Sequence, residues 1–340
     1  MRCQNSILTG LLLALLTGAT TARAQNSAFP AMRCVNLANA LNAPKEGEWG
    51  YVIREKDLQR ISLAGFDSVR VLIAWNEHAQ KTAPYTIDPA FFARIDEVVG
   101  QAQHYGLAVI LDMHNYEEVY AEPAKHEARL IALWEQIARH YAEAPDSIIF
   151  ELLNEPKDAL QGAVWQGLAD RLHARVRTLA PKRWIIMGGD NWNSTNGMER
   201  FIAPKDPRLM LTFHYYDPYK FTHQGATWFE GAPPAGRPWG SRIERRHLKR
   251  EFARAAALAR ASGHPVWLGE FGATKATNMQ DRADWTRQVR RAAEAQGMGW
   301  CAFDFAAEFG VFSPERENWV WPLRRALFDQ SALALRASPD

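Results

Sequence analysis

Short apolar segments alternate along this chain with longer amphipathic segments, and this alternation predicts repeated βα units. The short segments have the length and the β-branched, largely apolar character of strands in a parallel sheet. We predict eight strands: Cys34–Leu37, Ser68–Ile73, Ala108–Met113, Ile148–Leu153, Trp184–Gly188, Leu209–Phe213, Val266–Gly269 and Gly299–Phe303. Eight strands separated by helical segments predict a closed (β/α)8 TIM barrel, an α/β fold, in a single domain.

The amphipathic segments predict the helices outside the barrel. Several end just before the next strand at a glycine, as at Gly65, Gly106 and Gly297, which is typical of helix C-caps. The predicted helices are Arg54–Ala64, Pro89–Tyr105, His126–Tyr141, Gly162–Leu179, Arg242–Ser262 and Met279–Gln296. Residues 217–240 break the repeat with proline, glycine and aromatic residues. We expect this segment to be a long loop over the carboxyl-terminal face of the barrel, where sites of this fold lie.

The amino terminus has the pattern of a secretory signal peptide. Arg2 precedes an apolar stretch over residues 7–16, and the sequence Ala22-Arg23-Ala24 precedes Gln25. We expect cleavage near Ala24, so that residues 1–24 are the signal peptide and residues 25–340 form the mature domain, secreted or periplasmic. The apolar stretch is shorter than the roughly 20 residues that a membrane-spanning helix needs, and no later segment approaches that length.

The net charge of the chain indicates which partners to expect, and its cysteines raise the question of a disulfide. Loss of Arg2 and Arg23 with the signal peptide takes the formal charge from +2 to about zero, so nucleic acid is not an expected partner. Cys34 and Cys301 remain, in the first and last predicted strands, which become neighbours when a barrel closes. A disulfide and two buried free thiols both fit. We expect free thiols, because disulfide geometry is restrictive.

Two glutamates each follow a short apolar segment. Glu155 follows Asn154 after the fourth predicted strand, and Glu270 follows Gly269 after the seventh. A buried strand seldom ends in a bare carboxylate without a reason, because an unpaired buried charge is costly. Two such strand ends on one barrel indicate the acid and the nucleophile of a retaining glycoside hydrolase.

Other polar and aromatic residues also lie at or just beyond the carboxyl ends of the predicted strands. They are Asn36 and Asn39 after the first strand, Arg70 on the second, His114 after the third, Asn154 after the fourth, Trp192 and Asn193 after the fifth, His214 and Tyr216 after the sixth, and the Trp300–Phe305 run on the eighth. Chance would not sort polar residues in this way. We therefore expect them to surround one site at that end of the barrel.

In these features the sequence resembles glycoside hydrolase family 5, a large family of retaining (β/α)8 enzymes that includes cellulases. The resemblance covers nearly the whole mature chain. Its most specific motifs are Asn154-Glu155-Pro156, His214-x-Tyr216 and Gly269-Glu270-Phe271-Gly272. The resemblance implies that Glu155 is the general acid/base and that Glu270 is the nucleophile.

A retaining mechanism needs one carboxyl group protonated at rest and the other ionised. Arg70, His214 and Tyr216 are the residues expected to hold Glu270 ionised, since a cation and hydrogen bonds favour the charged form. Glu155 has no such cation in its motif and is expected to stay protonated.

The resemblance also implies substrate contacts. Asn154 matches a family residue that hydrogen-bonds the sugar 2-hydroxyl, and His114 matches a histidine that lines the subsite on the non-reducing side of the cleaved bond. Asn36 and Trp192 are expected to support the site or contact the substrate. Many family members have a tryptophan on strand eight as the floor of that subsite. Alignment places Phe303 there, and a shifted alignment would use Trp300 instead.

Strand parity brings two further acidic residues into the interior. Glu151 shares the parity of Glu155, and Asp112 shares that of His114, so both are expected to point inward and to need a partner. Neither His-Glu-x-x-His nor His-x-His is present. We therefore predict no metal and no cofactor.

The sequence thus predicts an exported, monomeric endo-β-1,4-glucanase of the cellulase type, with a β-glucan as its substrate. The same catalytic set would serve a β-mannanase, a mixed-linkage glucanase or a xyloglucanase, because specificity lies in loops and subsites. An inactive barrel that binds glycans is a further alternative, and transglycosylation in place of hydrolysis is open.

Overall fold

The computed structural model describes residue 29 and residues 31–328, and within them eight parallel strands close into a barrel. The strands are β1 (Arg33–Leu37), β2 (Ser68–Ile73), β3 (Ala108–Met113), β4 (Ile148–Glu151), β5 (Trp184–Gly188), β6 (Leu209–His214), β7 (Val266–Phe271) and β8 (Trp300–Ala302). Each strand pairs with the next, and β8 pairs with β1. The predicted (β/α)8 barrel is confirmed, whereas the predicted signal peptide, residues 1–24, lies outside the described residues.

Helices connect the strands and cover the outside of the barrel. They are α1 (Glu55–Ala64), α2 (Pro89–His104), α3 (Glu117–Ala121), α4 (Pro123–His140), α5 (Gly162–Leu179), α6 (Asp190–Asn193), α7 (Thr195–Arg200), α8 (Tyr219–Thr222), α9 (Arg242–Ser262), α10 (Met279–Glu294) and α11 (Trp321–Leu327). A small antiparallel pair, β9 (Phe312–Ser313) and β10 (Asn318–Trp319), follows the barrel. In the part of the chain that is described, no helix combines the length and the apolar character needed to cross a bilayer.

The predicted helices all form, with small differences at their ends. The largest is in α4, which begins at Pro123 rather than His126. Proline suits the first position of a helix because its fixed φ is helical and its missing N–H has no partner there. At the other end of α1, Gly65 has a φ of 104°, a left-handed conformation that favours glycine and ends the helix as predicted.

Side-chain alternation along the strands separates two cores. On β2, Val69 and Val71 point outward into the large core between the sheet and the helices. A second, smaller cluster fills the lower interior of the barrel with residues such as Ile110, Ile149 and Trp267. Above this apolar layer, the inward positions become polar, and the functional side chains lie there.

The two cysteines form a disulfide in the described structure, so the expected pair of free thiols is wrong. Cys34 on β1 is directly in register with Cys301 on β8, and their Cα atoms are 4.1 Å apart. Both side chains belong to the interior cluster. Spacing along the sequence could not establish this alignment, because it depends on the register with which the barrel closes.

Candidate active site

Arg70 occupies the centre of the barrel interior and is completely buried. Its Nε donates to Glu151 Oε2 at 2.6 Å, and its Nη2 donates to Glu151 Oε1 at 2.9 Å. Nη2 also lies 3.0 Å from Asp112 Oδ2. Burial alone would lower the pKa of Arg70, but the carboxylates of Asp112, Glu151 and Glu270 raise it well above its ordinary value. Glu151 and Asp112 are thus the buried partners of a permanent cation, in keeping with the structural role expected for them.

The same guanidinium also donates hydrogen bonds to polar side chains at the carboxyl ends of the neighbouring strands. Nη1 donates to Asn36 Oδ1 at 2.9 Å and to Glu270 Oε1 at 2.7 Å, while Nη2 donates to Asn154 Oδ1 at 2.8 Å. Asn36 also donates through Nδ2 to the carbonyl of Gly269, the residue before Glu270. Asn36 therefore supports the site by fixing both Arg70 and the end of β7.

Glu270 has a donor on each of its two carboxylate oxygens. Arg70 contacts Oε1, and the hydroxyl of Tyr216 donates to Oε2 at 2.8 Å. Glu270 is buried, with only 4% of its surface exposed. A cation and a hydroxyl donor both favour the negatively charged carboxylate, because the charge is stabilised where water has been excluded.

Glu155 lies across the site from Glu270 in a different environment. Its backbone φ is 43°, an uncommon left-handed value for a residue with a side chain, as is often found at functional sites. Burial raises the pKa of Glu155 to about 7, although His114, Arg70 and Lys157 act in the opposite direction. A carboxyl group with this pKa can hold a proton near neutral pH and release it.

His214 contacts Glu155 rather than Glu270, which corrects the role expected for it. Its Nδ1 lies 2.6 Å from Glu155 Oε1 and 3.6 Å from Glu270 Oε2. A register shift between Phe213 and His214 in the pairing of β6 with β7 sets this position. Burial lowers the pKa of His214 to about 4, so the imidazole is neutral near pH 7 and is not a cation that could hold Glu270 ionised.

Three potential metal ligands meet at this point in the described part of the chain. One oxygen each from Glu155 and Glu270 and one nitrogen of His214 lie within 4.8 Å of one another. The oxygens already have protein partners: Arg70 and Tyr216 contact Glu270, and His214 contacts Glu155. This donor set is engaged in hydrogen bonds suited to acid–base chemistry, and we assign no metal to it.

His114 lies on the β3 side of Glu155. Its Nδ1 is 2.7 Å from Asp112 Oδ2, so the carboxylate bound to Arg70 also orients this ring. Burial lowers the pKa of His114 to about 4. The ring lines a polar cavity of about 180 Å³, together with Asn154, Glu155 and Lys157. The ammonium of Lys157 had no signal in the sequence as a site residue.

Of the two candidates on strand eight, Phe303 lies beside the site and Trp300 does not. Trp300 is buried in the outer core, where it packs against Phe66, and therefore cannot face a ligand. Phe303 is partly exposed, and its ring centroid lies 6.3 Å from that of Tyr216. It also lies 5.5 Å from Phe309, which the sequence interpretation did not select.

Two aromatic surfaces extend from this centre. In the long loop after β6, the ring of Trp228 is about half exposed and lies 5.5 Å from that of Phe309. On the other side, Trp192 is also half exposed, and its backbone N–H donates to the carbonyl of Pro156, the residue after Glu155. The exposed rings suit stacking against sugar faces, which present C–H groups.

A parallel eight-stranded barrel with two carboxyl groups close together at its carboxyl-terminal end is the arrangement of (β/α)8 glycoside hydrolases. Comparison with known sequences gives the same result. The family model described as cellulase (glycosyl hydrolase family 5) matches residues 25–308. The chain therefore belongs to glycoside hydrolase family 5.

Individual relatives extend this comparison. Endoglucanase H of Acetivibrio thermocellus is 31% identical over 300 residues, which are 86% of this chain and 32% of that protein. Cellodextrinase A of Ruminococcus flavefaciens is 31% identical over 258 residues, covering 72% of this chain and 76% of that protein. This chain thus spans about a third of endoglucanase H and about three quarters of cellodextrinase A.

The fold is also similar to solved structures. A Thermotoga maritima enzyme in complex with cellobiose has a TM-score of 0.86 and 38% identity, with 88% of this chain and 98% of that chain covered. The same values apply to a Thermotoga maritima structure in complex with mannotriose.

Proposed function

We propose that the protein is a retaining endo-β-1,4-glucanase in which Glu155 is the acid/base and Glu270 is the nucleophile. The separation of their carboxyl groups carries this proposal. One oxygen of Glu155 lies within 4.8 Å of one oxygen of Glu270, a close approach that fits the roughly 5–5.5 Å carboxyl separation of retaining enzymes better than the roughly 6.5–9.5 Å of inverting ones.

In the first step, Glu270 attacks the anomeric carbon while Glu155 gives its proton to the departing glycosidic oxygen. A glycosyl ester on Glu270 results, and the leaving sugar departs as an alcohol. In the second step, ionised Glu155 takes a proton from water as the water attacks the anomeric carbon, and Glu270 is released. The pKa of about 7 at Glu155 suits a group that both gives and takes a proton near neutral pH.

Asn154 supports the same proposal. Its Oδ1 is held by Arg70 at 2.8 Å, which fixes the orientation of the amide. Its N–H group would donate to the sugar 2-hydroxyl, a contact that strengthens as the ring flattens toward the oxocarbenium-like transition state. Replacement of Asn154 is therefore expected to lower kcat more than it raises KM.

The preferred polysaccharide is inferred from the names of relatives and the ligands of solved structures. A β-1,4-glucan is proposed because relatives are named as an endoglucanase and a cellodextrinase. A β-mannan is the second candidate, because the Thermotoga maritima enzyme at 38% identity was solved with mannotriose as well as with cellobiose. We propose that Phe303, which the resemblance aligns with a tryptophan of many family members, contacts the sugar and bears on this choice.

Export belongs to the proposal as well. The basic residue, apolar stretch and small residues of positions 1–24 are those of a signal peptide, and a polysaccharide too large to enter a cell has to be cut outside the cytoplasm. Mass spectrometry of the protein from the periplasm or medium tests this. A mature amino terminus near residue 25 is expected, and an intact amino terminus would contradict it.

The activity is tested by incubating the mature protein with carboxymethylcellulose, mixed-linkage glucan, galactomannan, xyloglucan and cellodextrins. New reducing ends and product lengths are measured for the wild type and for Glu270→Ala. Oligosaccharides from the glucans, absent with the variant, are expected. Galactomannan as the fastest substrate would select the mannanase alternative, and cleavage of cellodextrins alone would contradict endo action. Binding without cleavage on the whole panel would favour the inactive barrel.

A further inference from the structure

The imidazole of His214 has one ring nitrogen on Glu155 and the other on a residue outside the predicted mechanism. Nδ1 lies 2.6 Å from Glu155 Oε1, and Nε2 lies 3.5 Å from Nδ2, the side-chain amide nitrogen of Asn193. Asn193 is completely buried at the end of α6 and has a left-handed φ of 51°, which asparagine tolerates better than most residues. Among the described residues, Asn193 is the side chain hydrogen-bonded to Nε2.

Two buried oxygens beside this ring have no hydrogen-bond partner. They are Oδ1 of Asn193 and Oγ1 of Thr212, both in completely buried residues. An unpartnered buried oxygen is costly, so the environment favours a donor close to it. The oxygen and nitrogen of an asparagine amide are assigned from the hydrogen bonds they make. Turning the Asn193 amide by 180° exchanges the two atoms and gives its oxygen the ring N–H of His214 as a donor.

Glycines leave the space in which these groups meet. A Cβ on Gly269 would lie 2.9 Å from Nε2 of His214 and 2.5 Å from Oγ1 of Thr212. A Cβ on Gly188 would lie 2.1 Å from Oδ1 of Asn193. The Asn193 side chain therefore packs directly against the backbone of Gly188, and the His214 ring packs against that of Gly269. This packing fixes the amide and the ring relative to each other.

The tautomer of His214 decides which form of Glu155 is favoured. If the proton is on Nε2, then Nδ1 is an acceptor and binds the O–H of protonated Glu155. If the proton is on Nδ1, this N–H donates to the ionised carboxylate and stabilises the charged form. Only the first arrangement keeps the acid ready for the first catalytic step.

We propose that Asn193 is a positioning residue that accepts the Nε2–H of His214 through its amide oxygen and thereby keeps Nδ1 free to accept the proton of Glu155. This inference rests on the proposed function of Glu155. After Glu155 has given its proton to the leaving group, no N–H faces the carboxylate from His214, so Glu155 remains a strong base for the water of the second step. The proton of His214 stays on Nε2 throughout, and no additional proton transfer is needed.

Other charged and titratable groups also face the Glu155–His214 pair, from each element packed against it. They are Arg70 on β2, Asp112 on β3, His114 beyond β3, Tyr120 on α3, Glu151 on β4, Lys157 beyond Glu155, Tyr216 beyond β6 and Glu270 on β7. All of them remain in an Asn193 variant. A change in the titration of Glu155 in that variant is therefore attributable to the lost contact at Nε2.

The test is a nuclear magnetic resonance measurement of the histidine ring nitrogens in protein labelled with ¹⁵N at histidine, with the His214 signals assigned by comparison with His214→Gln. In the wild type, the neutral ring of His214 is expected to carry its proton on Nε2. This tautomer is measured whether or not the variants are active. Asn193→Ala should shift the proton toward Nδ1. Asn193→Asp, which keeps an acceptor at the same position, should leave Nε2 protonated.

Kinetics provide the second measurement. Asn193→Ala should move the alkaline limb of the kcat/KM profile about one pH unit lower, with about 10-fold lower activity above that limb and little change in KM. Asn191→Ala is the matched control, because Asn191 is in the same turn with a left-handed φ of 53° but donates to Ser194 instead. It should leave the limb in place.

A wild-type His214 with its proton on Nδ1 would overturn the inference, and so would an unchanged tautomer in Asn193→Ala. The tautomer is measured without turnover, which separates this test from that of the proposed function. If the protein hydrolyses glycans but His214 carries its proton on Nδ1, only the role of Asn193 is contradicted and the proposed function stands. If His214 has the expected tautomer but the protein cleaves no glycan, the proposed function is contradicted, while the hydrogen bond between Asn193 and His214 is supported.

Discussion

Glu155 and His214 share a hydrogen bond of 2.6 Å, while Arg70 donates to Glu270 at 2.7 Å. The two glutamates thus have chemically opposite neighbours, one a neutral imidazole and the other a permanent cation. This difference supports the proposed roles of two identical side chains, one as proton donor and the other as nucleophile.

Glu270→Ala should reduce hydrolysis about 10⁴-fold or more, because no other group replaces the nucleophile. The fold should survive, since Arg70 keeps Glu151 and Asp112 as partners. Reducing-end assays and circular dichroism measure the two effects. Glu199→Gln, an exposed residue paired with Arg254 on the outer surface, is the control and should keep wild-type activity. Substantial hydrolysis by Glu270→Ala would refute the assignment.

Glu155→Ala should lose about 10²- to 10⁴-fold on polysaccharide, where the leaving alcohol needs a proton. Formation of the glycosyl-enzyme from an aryl glycoside with a good leaving group should be affected much less, because such a group departs without acid help. Burst kinetics on both kinds of substrate measure the difference. Equal losses of this step on both would argue against Glu155 as the acid.

The raised pKa of Glu155, about 7 against an ordinary value of 4.5, makes activity and stability depend on pH. Activity should fall as pH rises through about 7, because the acid is then ionised. The folded protein binds a proton that the unfolded chain releases between pH 4.5 and 7. The stability contributed by this proton is complete below pH 4.5 and is lost as pH rises through 7.

Comparison with Glu155→Gln isolates this effect on stability. Burial lowers the pKa values of His114 and His214 to about 4, so their contribution to the stability of the protein is lost as pH falls below 6.5. The wild type and Glu155→Gln both contain these histidines, so this contribution cancels in the comparison. The unfolding free energy of the wild type minus that of Glu155→Gln should therefore be larger at pH 5 than at pH 8. A difference independent of pH would contradict the environment described for Glu155.

Arg70→Leu should lower the free energy of unfolding by about 3–5 kcal/mol, because it leaves buried carboxylates without their cation. Arg175→Leu is a control of the same chemistry on the surface. Arg175 pairs with Glu135 at 2.6 Å, but both side chains are about one-third exposed, and the expected change is about 0–1 kcal/mol. Denaturant unfolding compares them, and equal effects would show that the Arg70 cluster is not a structural centre.

Removal of the Cys34–Cys301 disulfide should destabilise the protein by about 2–5 kcal/mol. The bridge joins the first and last strands across 267 residues, so its loss enlarges the unfolded ensemble and loosens the closure of the barrel. The double variant Cys34→Ala with Cys301→Ala should have a lower Tm, and reductant should lower the Tm of the wild type only. A wild-type Tm insensitive to reductant after verified reduction would contradict this.

The sequence predicted most of this arrangement because the barrel repeats one simple unit. Three strands, including Ser68–Ile73, have the predicted ends, and Asn36, Asn154 and Glu270, selected at strand ends, do meet at Arg70. Apolar runs bounded by glycine and polar residues carry that information locally. The resemblance to a known family contributed the roles expected for Glu155 and Glu270, because the order of the motifs along the chain matches that family.

What the sequence could not provide depends on three-dimensional register. His214 was expected beside Glu270, but a shift in the pairing of β6 with β7 places its Nδ1 on Glu155. The partner of its other nitrogen, Asn193, is 21 residues away along the chain. The cysteine pairing has the same origin, since it is set by which residues of β1 and β8 face each other when the barrel closes.

The most direct test of the central claim is to trap the covalent intermediate with a 2-deoxy-2-fluoro-cellobioside that has a good leaving group and to identify the modified residue by peptide mass spectrometry. A single glycosyl adduct on the peptide that contains Glu270, with loss of activity at the same rate, is predicted. An adduct on another residue, or undiminished hydrolysis without any adduct, would contradict a retaining mechanism with Glu270 as its nucleophile.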